Sequence, residues 1–225
     1  MPSRTVENYL KQIYVAELSA GGALVGMGQL AQAMRVTPGT ATSMMKTLAE
    51  SRLAEYEPRS GVRLTEAGRA LALAVLRRHR LIELLLVNTL GLGWSEVHDE
   101  AEELEHAVSE KVLAAIDRHL GHPKFDPHGD PIPTAAGDVA DSPLLRLDAM
   151  PAGSRVQIAR VSDQDPAFLL FLERRGLVPG TNLTVEAADP IAEAVTLRPD
   201  GRDPLTLGSN VAAKIEVRGG GHDEQ

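Results

Sequence analysis

There is no cysteine among the 225 residues. That excludes disulfides, thiolate nucleophiles, iron–sulfur clusters and cysteine-based zinc sites, so any metal must be held by histidine, carboxylate, amide or backbone oxygen. No apolar run approaches the ~20 residues that span a bilayer, and no charged start followed by an apolar stretch marks a secretory leader. A cytoplasmic protein without a membrane partner is the expectation. The zinc-protease pattern His-Glu-x-x-His and the phosphate-loop pattern ending Gly-Lys-Ser/Thr are both missing, and no internal repeat is evident. Positive charge is also short, with 23 Lys/Arg against 31 Asp/Glu and a net charge of −8. The deficit is uneven. Residues 1–70 carry eight Lys/Arg against six Asp/Glu, residues 71–120 five against nine, and residues 121–225 ten against sixteen. The first seventy residues alone are weakly basic, which permits a nucleic-acid partner without demanding one.

The chain is long enough for two or three small domains. In segment 5–19, Val6, Leu10, Ile13, Tyr14 and Leu18 recur at helical spacing behind Thr5, a candidate N-cap. Residues 27–34 form a short helix, and a second runs from Pro38 to about Ser51, with Thr37 as cap and Pro38 in its first turn. Two short helices on a tight connection are a helix-turn-helix. Leu53–Tyr56 and Val62–Leu64 flank the turn Glu57-Pro58-Arg59-Ser60-Gly61, giving a hairpin wing. A long helix then runs to about Thr89, Gly91-Leu92-Gly93 breaks it, and a further helix covers roughly 95–119. From Gly121 to Pro151 the Pro, Gly and Asp content predicts a partly ordered linker. Residues 153–218 alternate β-like runs with turns, interrupted by one helix near 165–175, as in a small β-barrel or roll. The expected architecture is mainly α with a small β domain. A winged helix-turn-helix spans 1–70, a helical domain with its linker spans 71–141, and a β domain spans 142–225.

In the head, Thr37, Pro38, Thr40, Thr42 and Ser43 stand at the start of the second helix, where small polar side chains meet base edges and free N–H groups favour an anion. Lys46 follows one turn later, and Arg59 and Arg63 occupy the wing, in reach of a DNA backbone or minor groove. The same Thr and Ser residues also suit plain capping, and winged helices serve as protein-interaction modules as well. No Arg or Gln stands at the front of this helix, so thymine-methyl contacts and DNA shape would carry more of any specificity than direct readout.

The most informative stretch runs from Val97 to His106. On a helix His98, Glu102, Glu105 and His106 are related by steps of three and four and share one face. Like charges at that spacing repel, and a divalent cation reverses the sign. The preceding helix offers His79 and Glu83, four apart. Two helices that each present a His/Glu set form the kind of site built between bundle helices. Such sulfur-free ligands suit Mn²⁺, Fe²⁺, Co²⁺ or Zn²⁺. Each set taken alone also reads as a solvated acidic face with ordinary surface histidines.

The winged head, the run Val75-Leu76-Arg77-Arg78-His79-Arg80-Leu81-Ile82-Glu83, the run Val97-His98-Asp99-Glu100 with Glu105-His106, and Gly129-Asp130-Pro131-Ile132-Pro133 ahead of a β domain together resemble the diphtheria-toxin-repressor family across essentially the whole chain. The resemblance implies a homodimer that binds palindromic double-stranded DNA operators when loaded with Fe²⁺ or Mn²⁺ and silences metal-uptake genes. It implies an SH3-like, FeoA-type C-terminal barrel, no organic cofactor, and two metal ions per chain. A first site would use Asn8, Glu102, Glu105 and His106. The Asn8 and Glu102 pair, with no sulfur, is similar to the manganese-type members, although those carry Asp where Asn8 stands. Lys11 stands where some of them have Glu, which argues against a binuclear cluster. A second site would use His79, Glu83 and His98, with Asp126 and His128 from the linker and either Asp163 or Asp165 from the β domain.

Two other classes remain in view: a winged-helix regulator that senses a small organic ligand, and a di-metal carboxylate enzyme. The latter needs a matched Glu-x-x-His in each half of a four-helix bundle. Glu103 and His106 supply one copy, and there is no second.

Overall fold

The computed structural model describes residues 3–140 and 143–219. The expected domain junction at 141/142 and the chain beyond 219 lie outside the described residues. The first helix, α1 (Arg4–Ser19), starts two residues earlier than a Thr5 cap would dictate, because the Ser3 hydroxyl accepts from the Val6 amide and takes the cap. It buries Tyr9, Leu10, Ile13 and Tyr14. Helices α2 (Met27–Ala33) and α3 (Pro38–Glu50) follow. Arg35 sits at φ 52° in the turn between them, and Thr37 accepts from the Thr40 amide at 3.2 Å. Strands β1 (Ala54–Glu57) and β2 (Gly61–Leu64) form the antiparallel wing, with Ala54 opposite Leu64 and Glu57 opposite Gly61. Val25 bridges to Val62 and ties the wing back to the helices. One core of Tyr9, Leu10, Ile13, Leu30, Met45, Leu48, Val62 and Leu76 unites these elements.

Helix α4 (Glu66–Asn88) is the longest, at 23 residues. The single helix expected over 95–119 is instead two, α5 (Val97–Leu104) and α6 (Glu110–His119). The Leu104 carbonyl closes α5 by accepting from both Ala107 and Val108, and the Ser109 hydroxyl opens α6 by accepting from the Val112 amide. The break has a charge rationale. Asp99, Glu100, Glu102, Glu103 and Glu105 crowd one short segment, and acids near a helix C-terminus oppose its dipole. Glu105 and His106 therefore project from a turn, not from the helical face that carries His98 and Glu102.

The C-terminal strands β3 (Leu145–Arg146), β4 (Arg155–Val161), β5 (Asn182–Asp189), β6 (Ala194–Pro199), β7 (Leu205–Gly208) and β8 (Ile215–Gly219) make one antiparallel sheet ordered β3-β8-β4-β5-β6-β7. Irregularities in register at Ile158/Arg160 and Val185/Ala187 give the bends a small barrel needs. Besides α7 (Pro166–Glu173), a second short helix, α8 (Ser209–Ala212), interrupts the strands. Ile158, Leu169, Leu172, Leu183, Val185, Leu197 and Val217 fill the interior.

Two compact units result. One takes in residues up to His79 with Glu103–Leu113 and Pro133–Val139; the other takes in Arg80–Glu102, Ala114–Ile132 and the chain from Ala140 onward. Where partial order was expected, residues 125–131 are a fixed turn. Phe125 pairs with Pro131, and the Asp126 carboxylate accepts from the His128 and Asp130 amides at 2.8 and 2.9 Å. The Val161 amide donates to the His128 carbonyl. Gly129, at φ +88°, lies so close to β4 that a Cβ there would fall 1.9 Å from the Ala159 carbonyl oxygen. Gly129→Ala is expected to lower stability by about 2 kcal/mol, from the positive φ and the backbone clash together. A urea midpoint equal to that of the unsubstituted protein would contradict this.

Candidate metal centres

Within the first unit, α1 supplies Glu7, Asn8 and Lys11, α4 supplies Arg78 and His79, and the turn after α5 supplies Glu105 and His106. Glu105 is fully buried, and its carboxylate accepts from Lys11 Nζ at 2.8 and 3.0 Å while His79 Nδ1 lies 2.7 Å from Oε2. Burial opposes ionisation of Glu105, but the His79 hydrogen bond and the Lys11 charge outweigh it and hold the carboxyl below its ordinary range. His106 Nδ1 lies 2.6 Å from Glu7 Oε2, and the other Glu7 oxygen takes a hydrogen bond from Arg78. A carboxylate at Nδ1 favours the proton there and leaves Nε2 with its lone pair, on the side of the ring that faces Glu105. Nε2 of His106 is buried with no hydrogen-bond partner among the described residues and lies 3.3 Å from Glu105 Oε1. Oδ1 of Asn8, on the helix that carries Glu7 and Lys11, is likewise buried with no hydrogen-bond partner among them. An orphaned imidazole nitrogen against a buried carboxylate fits a divalent cation, and an orphaned amide oxygen is a hard donor of the kind that completes such a set. Glu7 was missed by spacing arguments; its only sequence signal is adjacency to Asn8.

The second unit holds another set. Glu83, Asp126 and His128 are buried, and each offers a ligand atom within 4.8 Å of the others. His128 Nε2 lies 2.9 Å from the Trp94 carbonyl, which assigns the proton to Nε2 and leaves Nδ1 as acceptor. Nδ1 has no hydrogen-bond partner among the described residues and lies 3.8 Å from Glu83 Oε2. Asp126 Oδ2 likewise has no hydrogen-bond partner, with the Arg80 guanidinium 3.5 Å away. Burial, then the neighbouring Asp130 and Glu83 charges, push the Asp126 carboxyl well above its ordinary range. Half-exposed His98 places Nδ1 3.4 Å from Glu83 Oε1 and Nε2 3.9 Å from Glu102 Oε1. Two buried carboxylates and an orphaned imidazole nitrogen also fit a divalent cation.

Asp163 and Asp165 are not among these groups. Asp163 is paired with Lys214 at 2.6 Å, and Asp165 caps α7 by accepting from the Ala167 and Phe168 amides. An Asp directly before Pro166 is a helix start by local chemistry. Gln164, between them, reaches the linker instead, donating to Asp130 at 3.1 Å.

The candidate DNA-contacting residues line one end of α3 and the wing. Thr37, Pro38, Thr40, Ser43, Lys46, Arg59 and Arg63 are exposed and Thr42 is half-buried. Several of their polar groups already have partners. Thr37 and Thr40 share a 2.9 Å hydroxyl hydrogen bond, Thr42 donates to the Pro38 carbonyl, and Arg63 pairs with Glu55 at 2.6 Å.

Three family models match the chain end to end: the iron-dependent repressor N-terminal DNA-binding domain over residues 1–62, the iron-dependent repressor metal-binding and dimerisation domain over 65–134, and the FeoA domain over 145–219. The iron-dependent repressor IdeR of Mycobacterium leprae is 32% identical over 95% of this chain and 96% of its own length. The chain belongs to the diphtheria-toxin-repressor family. Its members are transcriptional repressors, a non-enzymatic class, which removes the di-metal enzyme reading. The diphtheria toxin repressor of Corynebacterium glutamicum is 34% identical over 76% of this chain and 75% of its own. A solved manganese-dependent transcriptional repressor in complex with manganese aligns with a TM-score of 0.84 at 40% identity, covering 95% of this chain and 99% of that one. No described helix is long and apolar enough to cross a membrane.

The Lys11–Glu105 pair tests the first set without any ion. Glu105→Ala removes the carboxylate that the buried Lys11 ammonium pairs with at 2.8 Å and is expected to cost about 3 kcal/mol in chelator. Adding Lys11→Met should recover much of the loss, and a double variant no more stable than Glu105→Ala in urea titrations would refute the assignment.

Proposed function

We propose that the protein is a dimeric repressor of metal-homeostasis genes in the cytoplasm, activated by Mn²⁺ in preference to Fe²⁺, with two ions per chain. The observation that carries this reading is the His106 Nε2 lone pair, buried without a hydrogen bond 3.3 Å from the buried Glu105 carboxylate; the orphaned Asn8 Oδ1 on α1 supports it. The ion supplies a point charge that these groups share in place of water. Asn8 belongs to α1, and α1 shares its core with the reading head, so joining Asn8 to Glu105 and His106 holds the head to the segment that follows α5. In a dimer the two α3 helices must lie about one DNA turn, ~34 Å, apart to enter successive major grooves. The arrangement that meets this spacing is favoured by its greater affinity for the ion. Lys11 occupies the side of Glu105 where a second cation would stand, which limits this set to one ion. Glu83, Asp126 and His128, with His98, hold the other ion. The sulfur-free ligands and the 40% identity to a manganese-dependent repressor support Mn²⁺.

Fluorescence anisotropy on a duplex from the protein's own promoter, with chelator, Mn²⁺, Fe²⁺ or Zn²⁺, tests the function. Binding that requires Mn²⁺ or Fe²⁺ is expected, and equal binding in chelator would remove the sensing role. Asn8→Asp replaces a neutral oxygen ligand with a charged one and should raise Mn²⁺ affinity about tenfold, while Asn8→Leu should abolish metal-dependent DNA binding.

The second set has its own readout. Trp94 is the only tryptophan and stacks on the His128 ring with centroids 5.5 Å apart. Mn²⁺ is expected to quench its emission in the unsubstituted protein and not in His128→Ala. Because the ion must displace the proton that the raised Asp126 carboxyl retains, affinity at this set should fall as pH drops, with proton release visible by calorimetry in buffers of different ionisation enthalpy. Quenching that survives His128→Ala, or binding indifferent to pH, would place the ion elsewhere.

A further inference from the structure

We propose that the C-terminal β domain carries a phosphate-binding cleft framed by Arg175, Arg198 and Arg202. The cleft is a shallow, open depression of about 750 Å³ between the end of α7 and the loop that joins β6 to β7, with Asp203 and Leu205 also in its wall. Its charge runs against its surroundings. Residues 121–225 carry ten Lys/Arg against sixteen Asp/Glu, yet three of those ten converge here. Asp203 is the one carboxylate in the lining and Glu186 pairs with Arg198 from beside it, so three arginines face two carboxylates and one positive charge remains in excess.

Each guanidinium is held by something that leaves it able to bind an anion. Arg175 lies 3.6 Å over the Phe171 ring, and its Nη1 donates to the Phe171 carbonyl at 2.9 Å. Arg202 rests on the backbone of Gly176, where a Cβ would come within 2.3 Å of its Cζ. Gly176 is at φ +67°, so the chain there both turns left-handed and makes room for the guanidinium. Arg198 donates to Glu186 at 2.6 Å through Nε, and its terminal amino groups make no hydrogen bond among the described residues. Arg202 makes no side-chain hydrogen bond or ion pair among those residues. Planar forks of this kind match the oxygens of a tetrahedral oxyanion, and preformed ones lose less side-chain entropy on binding.

The ligand chemistry is a phosphate group, whose source is either a free phosphate-bearing anion or a DNA backbone. The concave wall and the net negative charge of the surrounding domain favour the free anion, since a duplex would be repelled by the rest of this surface.

The test uses the full-length protein in metal-free buffer, because phosphate complexes divalent ions, and titrates inorganic phosphate and pyrophosphate by calorimetry. Saturable binding at or below about 1 mM is expected, with Arg202→Gln and Arg175→Gln each weakening it about tenfold and leaving the melting temperature unchanged. Arg198→Gln provides a third variant should either of these melt early. No saturable binding, or binding that survives all three substitutions, overturns the proposal. In a parallel arm, Mn²⁺-loaded protein is titrated with operator duplex. Loss of DNA affinity and a shallower salt dependence in the variants, without phosphate binding in the wild type, would make the cleft a backbone contact and overturn the free-anion assignment.

Discussion

A buried carboxylate needs a compensating positive charge or a proton, because the cost of desolvating an isolated anion far exceeds what packing returns. This chain buries Glu7, Glu17, Glu83, Glu105 and Asp126, and much of its organisation follows from how each is satisfied. Glu17 takes Arg69 and the Leu64 amide and fastens α1 to the end of the wing. Glu7 is shared between Arg78 and His106, and Glu105 between Lys11 and His79. In the second unit the balance differs. Burial, then the Asp130 and Glu83 charges, raise the affinity of Asp126 for a proton, and the Arg80 guanidinium stands 3.5 Å from its Oδ2.

The two candidate sets differ in what they leave without a partner. In the first unit the Glu105 carboxylate has a counter-charge in Lys11, and the atoms without a hydrogen bond among the described residues are neutral: Oδ1 of Asn8 and Nε2 of His106. In the second unit they include a carboxylate oxygen, Oδ2 of Asp126, together with Nδ1 of His128.

The β domain adds a separate logic. The linker turn at Asp126–Pro131 is laid against β4 with no room for a side chain at Gly129, so the ligands Asp126 and His128 are positioned by backbone packing and not by a flexible tether. On the opposite side of the sequence, the arginines of the β6–β7 loop and the end of α7 are set by Phe171 and Gly176. In both places a glycine sits at positive φ; at Gly129 a Cβ would meet the β4 backbone, and at Gly176 it would push the Arg202 guanidinium aside.

Local chemistry determined a great deal of this in the sequence alone. The Thr37-Pro38 start of α3, the turn residues of the wing, the helical spacing in α1 and α4 and the His/Glu clustering all follow from short-range rules, as does the exclusion of sulfur ligands. What required the tertiary structure were the features set by long-range proximity. Glu7 gained its role because a turn 99 residues away brings His106 to it. The helix expected over 95–119 breaks at Glu105, so that residue faces Lys11 and His79 and not the side of α5 that holds His98. Asp163 and Asp165 spend their oxygens on Lys214 and on the cap of α7, choices that depend on neighbours and helix start more than on residue type. Spacing along the chain reveals which groups can share a face; desolvation and the partners that folding delivers decide which of them remain free to bind.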